Sequence, residues 1–353
     1  MRRTQILSTG FHVPERVVTN DELARLMDTT DEWIQQRSGI VERRWVEGDE
    51  AGSDLAQHAA EMALDRAGLE AADLDCIIVA TLSPDHYFPG TAVFLQRKLG
   101  VRDIPCLDVR NQCSGFIYGL SVADAWIRVG QYRRVLLVGT EVHSTGLHKN
   151  DEGRDTAVLF GDGAGAVILG PVEVDETEEA SGNGEASGNG ETDDSDVSHC
   201  VLSVHIHADG RYAEKLWLES PASKREPFVS HEDIDRGLTR PAMQGRDVFK
   251  HAIVKMPRAV NEALAANGLT IDDLDMVIPH QANLRISQAV QKSLGLPDDR
   301  VYNNIQRYGN TTAASIPIAL HECLEEGKLE SGDLLCLTAF GSGFTWASAL
   351  IRW

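Results

Sequence analysis

Short, almost uninterrupted apolar runs punctuate the chain: VLLVG (Val135–Gly139), AVILG (Ala166–Gly170), CVLSVHI (Cys200–Ile206) and LLCLTAF, which ends at Phe340. Runs of this length without polar alternation belong to strands buried on both faces, the situation of a sheet covered by helices on each side. Helical spacing accompanies them. Phe116, Leu120, Ala123 and Ile127 fall on one helical face, and ALHECLEEG reads as a helix before the last of these runs.

The pattern occurs twice. ALDRAGLEAADLDCII (Ala63–Ile78) and ALAANGLTIDDLDMVI (Ala263–Ile278) agree at eight of sixteen positions with an offset of 200. Each copy reads as a helix end, a glycine stop, a polar turn and a buried strand. IPCLDVR then leads into Asn111-Gln112-Cys113-Ser114-Gly115 and a helix, and VYNNIQR leads into Tyr308-Gly309-Asn310-Thr311 and a helix. The chain is therefore an α/β protein of two related strand-helix halves, residues 1–170 and 201–353. Aligning Arg110 with Arg307 sets Cys113 opposite Asn310, and twofold packing of the halves would bring those turns together.

Between the halves, residues 171–200 contain the Gly-rich acidic repeat EASGNGEASGNGE. This composition predicts a solvated flexible loop, here a long hairpin connection between two strands. The insert changes the reading of charge. The 33 Lys and Arg against 54 Asp and Glu leave −21, but ten of those acids lie in 171–200, so the balance elsewhere is −11. Such a chain is repelled by nucleic acid and by anionic membranes, and any acidic partner must meet a local basic patch. Six widely spaced cysteines show no metal-ligand spacing, and no apolar run is long enough for a signal peptide or a membrane span. Free thiols in a reducing cytoplasm are the expectation.

Cys113 stands where a strand enters a helix, so unpaired N–H groups and the positive end of the helix dipole favour its thiolate. A small core cysteine would occupy the same place. His280 closes the strand DMVIP at the start of the next helix, Asn310 sits in a Tyr-Gly-Asn-Thr-Thr turn, and Gly341-Ser342-Gly343 follows a buried strand where backbone N–H groups suit an oxyanion hole. Thr29-x-x-Glu32 looks like a capping box for a short helix ended by Gly39, which sets Trp33 and Arg37 four apart on one face.

Together, DVRNQCSGF, IPHQANLRI, RYGNTTAASIPIAL and AFGSGFTWASALIRW resemble the signatures of β-ketoacyl-acyl-carrier-protein synthase III, in the thiolase superfamily. The resemblance spans the chain apart from the insert. It implies a thiolase-like fold with a five-layered α-β-α-β-α core, and a decarboxylating condensation of an acyl-CoA primer with malonyl-acyl-carrier protein that initiates fatty-acid synthesis. The alternative is a related condensing enzyme using a longer or specialised primer. Cys113 would be the nucleophile, with His280 and Asn310 stabilising the enolate and the backbone N–H groups of Cys113 and Ser342 forming the oxyanion hole. Serine 342 stands where the family usually has glycine.

The resemblance also assigns CoA binding to Trp33, Arg37 and Arg154, and carrier-protein docking to Gln281, Ala282, Asn283, Leu284 and Arg285, together with Lys250 and with Arg246, which replaces an uncharged residue usual in the family. The last two lie in a locally basic stretch, Arg240 to Arg258, with five basic residues and one acidic. Phe88 would wall the acyl pocket of a partner subunit, which implies a homodimer. CoA enters as a thioester substrate, and no bound cofactor and no metal are implied.

Overall fold

The computed structural model describes residues 1–174 and 199–353. Thirteen strands are present among these: β1 (Arg2–His12), β2 (Val17–Thr19), β3 (Glu42–Arg44), β4 (Cys76–Ala80), β5 (Cys106–Val109), β6 (Val135–Glu141), β7 (Gly163–Glu173), β8 (Cys200–Ala208), β9 (Leu216–Leu218), β10 (Pro241–Met243), β11 (Met276–Pro279), β12 (Leu334–Gly341) and β13 (Thr345–Arg352). The apolar runs become two mixed sheets, ordered β1-β7-β6-β4-β5 and β8-β13-β12-β11, with β2–β3 and β9–β10 as small separate pairs.

The duplication extends to strand register. Cys76 pairs with Val135 in parallel as Met276 pairs with Leu335, the same offset of 200. Each sheet continues antiparallel, β6 to β7 and β12 to β13, and then to an outer strand. Those outer strands slip register at matching places, between Ile6 and Ser8 against β7 and between Val201 and Ser203 against β13.

Alternation along buried strands assigns side chains to opposite faces. In the first sheet Ile78, Leu137 and Val167 face inward, and in the second Ile278, Leu337 and Ala349 do the same. Between them lie the helices Gly115–Arg128 and Ser315–Glu325, which bury Phe116, Leu120, Ile127, Ile316 and Leu320 in that common core. On the outer face of the first sheet, helix Gly52–Ala67 packs Leu55, Ala59 and Ala63 on Ile77, Val79 and Leu136. Helices Gly245–Ala266 and Leu284–Leu294 cover Val277, Leu334 and Cys336 on the outer face of the second. The result is the expected five-layered α-β-α-β-α stack.

Two sequence expectations are corrected. β7 and β8, which flank the acidic insert, lie in different sheets and do not pair, so residues 171–200 do not join a hairpin; the repeat itself lies outside the described residues. Cys113 is matched by Ala313 rather than Asn310. The short 3₁₀ turns Gln112–Ser114 and Thr312–Ala314 precede the two central helices, and each begins on a residue with left-handed backbone, Gln112 at φ 45° and Thr312 at φ 48°. The offset of 200 therefore holds into the turns, whereas pairing Arg110 with Arg307 shifts it by three.

The halves approach backbone to backbone at these turns. A methyl group at Gly139 of β6 would lie 2.3 Å from the carbonyl oxygen of Ala313, well inside any tolerable contact. Gly139→Ala should therefore separate the strand from the second turn and destabilise the protein by about 1–3 kcal/mol, the usual cost of overpacking; a lowered denaturant midpoint checks this, and a midpoint equal to that of the parent protein contradicts it.

Candidate active site

The strand β5 ends at Val109, and the left-handed backbone at Gln112 turns the chain so that Cys113 faces the end of β12. Contact is close: a methyl at Gly341 would lie 2.9 Å from Cβ and 3.3 Å from Sγ of Cys113. The backbone N–H groups of Cys113 and Ser342 favour the charged form of the sulfur. Burial outweighs them and, with the nearby Glu141 carboxylate, pushes the thiol up to about 12. Desolvation thus opposes the ionisation that the helix N-terminus favours. Ser342 turns its hydroxyl away to the carbonyl of Leu216, so its backbone faces the sulfur while its side chain leaves the space free.

The second half supplies the other two predicted groups. Asn310 is held through its backbone by the first half: its N–H donates to Leu159 O at 2.8 Å, and Gly161 N–H donates to its carbonyl at 3.2 Å. Its Oδ1 accepts from Thr312 N–H at 2.9 Å, which fixes the amide orientation and leaves the NH₂ end as the donor. His280 follows β11, with Nδ1 2.7 Å from Ser315 Oγ. Its Nε2 is buried with no hydrogen-bond partner among the described residues. Burial pushes the imidazole down to about 3, so the ring is neutral at physiological pH. The turn bearing Cys113 packs against the turn that follows Asn310.

Two residues that the sequence did not single out fasten this meeting of turns. Glu141, at the end of β6, is fully buried and accepts from the N–H groups of Leu82 and Ser83, the hydroxyls of Ser83 and Thr81, and Ala313 N–H of the other half. Desolvation raises its carboxyl to about 7 against these donors. His143 Nε2 meets Thr312 Oγ1 at 2.6 Å, and burial pushes this ring down to about 4. Glu141 occupies the position that Gly341 holds in the second half, a correspondence visible once the offset of 200 is carried through β6 and β12.

A second cluster lies at the surface. Trp33 projects from the helix Asp31–Ser38, with the guanidinium carbons of Arg37 and Arg154 at 5.3 and 5.2 Å from its ring centroid. The three residues assigned to one ligand are thus together, two cations around one indole. The cap of this helix is Thr30, which accepts from Trp33 N–H at 3.1 Å, and not Thr29; Gly39 ends it at φ 79° as anticipated. Thr29 Oγ1 and Arg154 Nε are buried without partners among the described residues.

Asn283 ties this cluster to the next helix. It caps Leu284–Leu294 by accepting from Arg285 N–H and donates to Arg37 O at 2.9 Å. Ala282 and Leu284 flank it, both half-buried. Gln281 does not belong to a docking surface: only 3% exposed, it donates to Pro279 O and accepts from Asn304 and Ile305 N–H, so it fastens the loop after β11. Arg246, Lys250 and Arg285 are exposed, the first two one helical turn apart, with Arg285 over the Phe249 ring. Phe88 is 81% exposed and follows Tyr87, whose ring meets Phe228 edge-on. Among the described residues no group of three or more His, Cys, Asp or Glu is placed to hold a metal ion, and no helix is long and apolar enough to cross a membrane.

The arrangement offers a thiol near two backbone N–H groups on a turn packed against the one that follows Asn310, with a neutral buried imidazole at His280, which suits acyl transfer with stabilisation of a developing enolate. Because the Glu141 charge opposes ionisation of Cys113, Glu141→Gln should lower the pH midpoint of Cys113 alkylation by iodoacetamide by about one unit. A midpoint that stays or rises contradicts this coupling.

Known proteins place the chain. Residues 107–184 match the family model for 3-oxoacyl-[acyl-carrier-protein (ACP)] synthase III, and 264–353 match the model for its C-terminal part. A β-ketoacyl-[acyl-carrier-protein] synthase III of Alkalilimnicola ehrlichii is 44% identical over the whole of both chains. The crystal structure of the synthase III from Thermus thermophilus superposes with a TM-score of 0.84 at 40% identity, covering 99% of each chain. The priming β-ketosynthase of the R1128 polyketide pathway gives 0.84 at 32% identity, over 99% of this chain and 97% of that one. With this identity over the full length, on a duplicated α-β-α-β-α core, the chain belongs to the β-ketoacyl-[acyl-carrier-protein] synthase III family.

Proposed function

We propose that this protein condenses an acyl-CoA primer with malonyl-acyl-carrier protein to give β-ketoacyl-acyl-carrier protein, CoA and CO₂, the initiating step of fatty-acid synthesis. It is an acyltransferase, and the observation that carries the reading is Cys113 beneath the N–H groups of Cys113 and Ser342, packed against the turn that follows Asn310.

In the first half-reaction the Cys113 sulfur attacks the thioester carbonyl while the two N–H groups stabilise the oxyanion. The C–S bond to CoA breaks, and the thiol proton leaves with CoA as its free thiol. In the second, malonyl thioester loses CO₂, and the electron pair released forms an enolate whose oxygen accepts hydrogen bonds from Asn310 Nδ2 and His280 Nε2. Its carbon attacks the acyl-cysteine carbonyl, and the Cys113 sulfur leaves and regains a proton. A neutral His280 and a neutral Asn310 fit the task, since neither traps the enolate as a permanent ion pair nor repels it.

Trp33, Arg37 and Arg154 hold the adenine and phosphates of CoA by stacking and charge. Arg246, Lys250 and Arg285 dock the acidic carrier protein, at a mouth joined to the CoA cluster by the Asn283–Arg37 hydrogen bond. Phe88, an aromatic ring left 81% exposed, packs into a second subunit of a homodimer. The six free thiols accord with a cytoplasmic setting, and no bound cofactor enters the scheme. A longer or specialised primer is the second reading, favoured by the polar, half-buried Asn111 and Gln112 immediately before the nucleophile.

Mass spectrometry after mixing with a pool of acetyl-, branched and medium-chain CoAs should find one acyl group on Cys113 with stoichiometric CoA release, its mass naming the primer; no adduct overturns the reading. Trp33→Ala should raise KM for acyl-CoA about tenfold with little change in kcat, consistent with loss of a stacked cation–π cluster. Arg285→Glu should raise KM for malonyl-acyl-carrier protein and spare acyl-CoA loading; equal damage to both steps contradicts the docking assignment.

A further inference from the structure

The two halves deliver their site turns in different ways. In the first, β5 lies beside β4, with Cys106 paired to Ile77 and Val109 to Ala80, so the ladder ends close to the turn of Cys113. The offset of 200 would set Gln306 beside Val277, but the bridge there forms at Val301, and β11 has no edge strand beyond it among the described residues. The chain from Tyr302 to Gly309 thus reaches Asn310 without a ladder, partly coiled as the helix Ile305–Tyr308. It is buried all the same, at Tyr302, Asn304, Ile305 and Tyr308. Buried polar groups taken off a ladder need partners from side chains.

Those partners come from two residues. Gln281 accepts the N–H groups of Asn304 and Ile305. Glu322, on the central helix Ser315–Glu325, accepts from the side chains: Asn304 Nδ2 at 2.8 Å, the Arg307 guanidinium at 2.9 Å and Tyr308 Oη at 2.5 Å. Arg307 is shared with Glu326, but Asn304 Nδ2 and Tyr308 Oη have no other hydrogen-bond partner among the described residues. Burial and the bond to Glu322 push the Tyr308 phenol up from its ordinary value, so the hydroxyl keeps its proton to donate. The first half carries Val122 at the matching position, packed against the apolar core, where the ladder holds the chain.

Tyr308 is joined to Asn310 through Gly309 alone, and that link is tightly confined. Gly309 has φ 64°, and a methyl on it would lie 2.7 Å from Leu159 O; a methyl on Gly161 would lie 2.1 Å from Tyr308 O. A displacement of Tyr308 is therefore passed on to Asn310.

We propose that Glu322 is a positioning residue: by gathering Asn304 and Tyr308 it replaces the missing strand and holds Asn310 where its amide meets the enolate oxygen of the second half-reaction. The inference rests on the role given to Asn310 under Proposed function. Glu322 touches no substrate in it and takes no part in acylation of Cys113.

Glu322→Val, which introduces the side chain found at position 122, should lower CO₂ release from malonyl-acyl-carrier protein about tenfold or more, as when one donor of an oxyanion site is lost. The burst of CoA release from acyl-CoA should stay within about twofold. Tyr308→Phe, which loses one hydroxyl and keeps the ring, should shift CO₂ release in the same direction, and carries the same comparison if Glu322→Val fails to fold. On an Asn310→Ala background the substitution of Glu322 should change CO₂ release by less than about twofold, because an effect that travels through Asn310 vanishes with it. Glu322→Gln keeps an acceptor for Asn304 and can donate its amide to Tyr308 Oη, so it should recover part of the CO₂ release. Equal loss in both half-reactions, undiminished loss on the Asn310→Ala background, no recovery in Glu322→Gln, or unchanged CO₂ release in Glu322→Val overturns the assignment. The nitrogen-15 signal of the Asn310 side-chain amide, identified by its loss in Asn310→Ala, reads the position without turnover. It should shift in Glu322→Val and in Tyr308→Phe, and a signal unmoved in both overturns the proposal. Absence of both CoA and CO₂ release from the unsubstituted enzyme would instead count against the functional reading, and the amide signal would still decide whether Glu322 holds Asn310.

Discussion

At the seam between the two sheets, Gly139 lies against the carbonyl of Ala313 and Gly341 lies against Cys113, each too close for a side chain. This backbone-to-backbone approach is what lets two turns from distant parts of the chain share one small volume. The apolar core of strands and central helices holds the halves in place, but the distance between the turns is set by the missing Cβ atoms. Groups that span the seam then fix the orientation. Glu141 of the first half accepts from Ala313 of the second, His143 bonds Thr312, and the segment around Leu159 and Gly161 holds both backbone groups of Asn310.

Burial has an electrostatic consequence that runs through the whole site. Desolvation raises the Cys113 thiol and the Glu141 carboxyl and depresses His280 and His143, in every case toward the neutral form. Burial thus biases the site toward oriented dipoles over fixed charges. Such a pocket stabilises charge when it develops on a reacting oxygen, and does so without rearranging. The surface around it behaves differently. Cations gather there around Trp33 and on the exposed faces bearing Arg246, Lys250 and Arg285, with Asp28 paired to Arg154, in a chain that is acidic as a whole.

Much of this was legible in the sequence. Strands such as β6 and β12 show themselves because both faces are buried and the apolar run is continuous, and the repeat at Ala63 and Ala263 exposes the duplication because turn chemistry and core face constrain the same positions in both copies. The motifs around Cys113, His280 and Asn310 made the family legible. Other features were not. Gln281 shares a motif with exposed neighbours, and only its hydrogen bonds to the loop around Asn304 show it to be a fastener. Neither the resting state of Cys113 nor the role of Glu141 follows from local sequence, because both depend on desolvation created by the other half. The mismatch of Cys113 with Asn310 came from following two arginines whose surroundings differ, where the offset of the repeat already led to Ala313.

That corrected correspondence bears on why the duplicated backbone carries one candidate site and not two. Cys113 faces Ala313 across the pseudo-twofold axis, His280 corresponds to Ala80, Ser315 to Gly115, and Glu141 to Gly341. At each pair one half keeps a reactive or polar side chain and the other has only a methyl group or hydrogen. A pocket lying on a symmetry axis is a single room with two tenants, and a faithful duplicate would crowd two thiols and two imidazoles into it. The symmetry holds in the backbone and is broken in these four pairs of side chains, so the small residues are as much a part of the site as the larger ones.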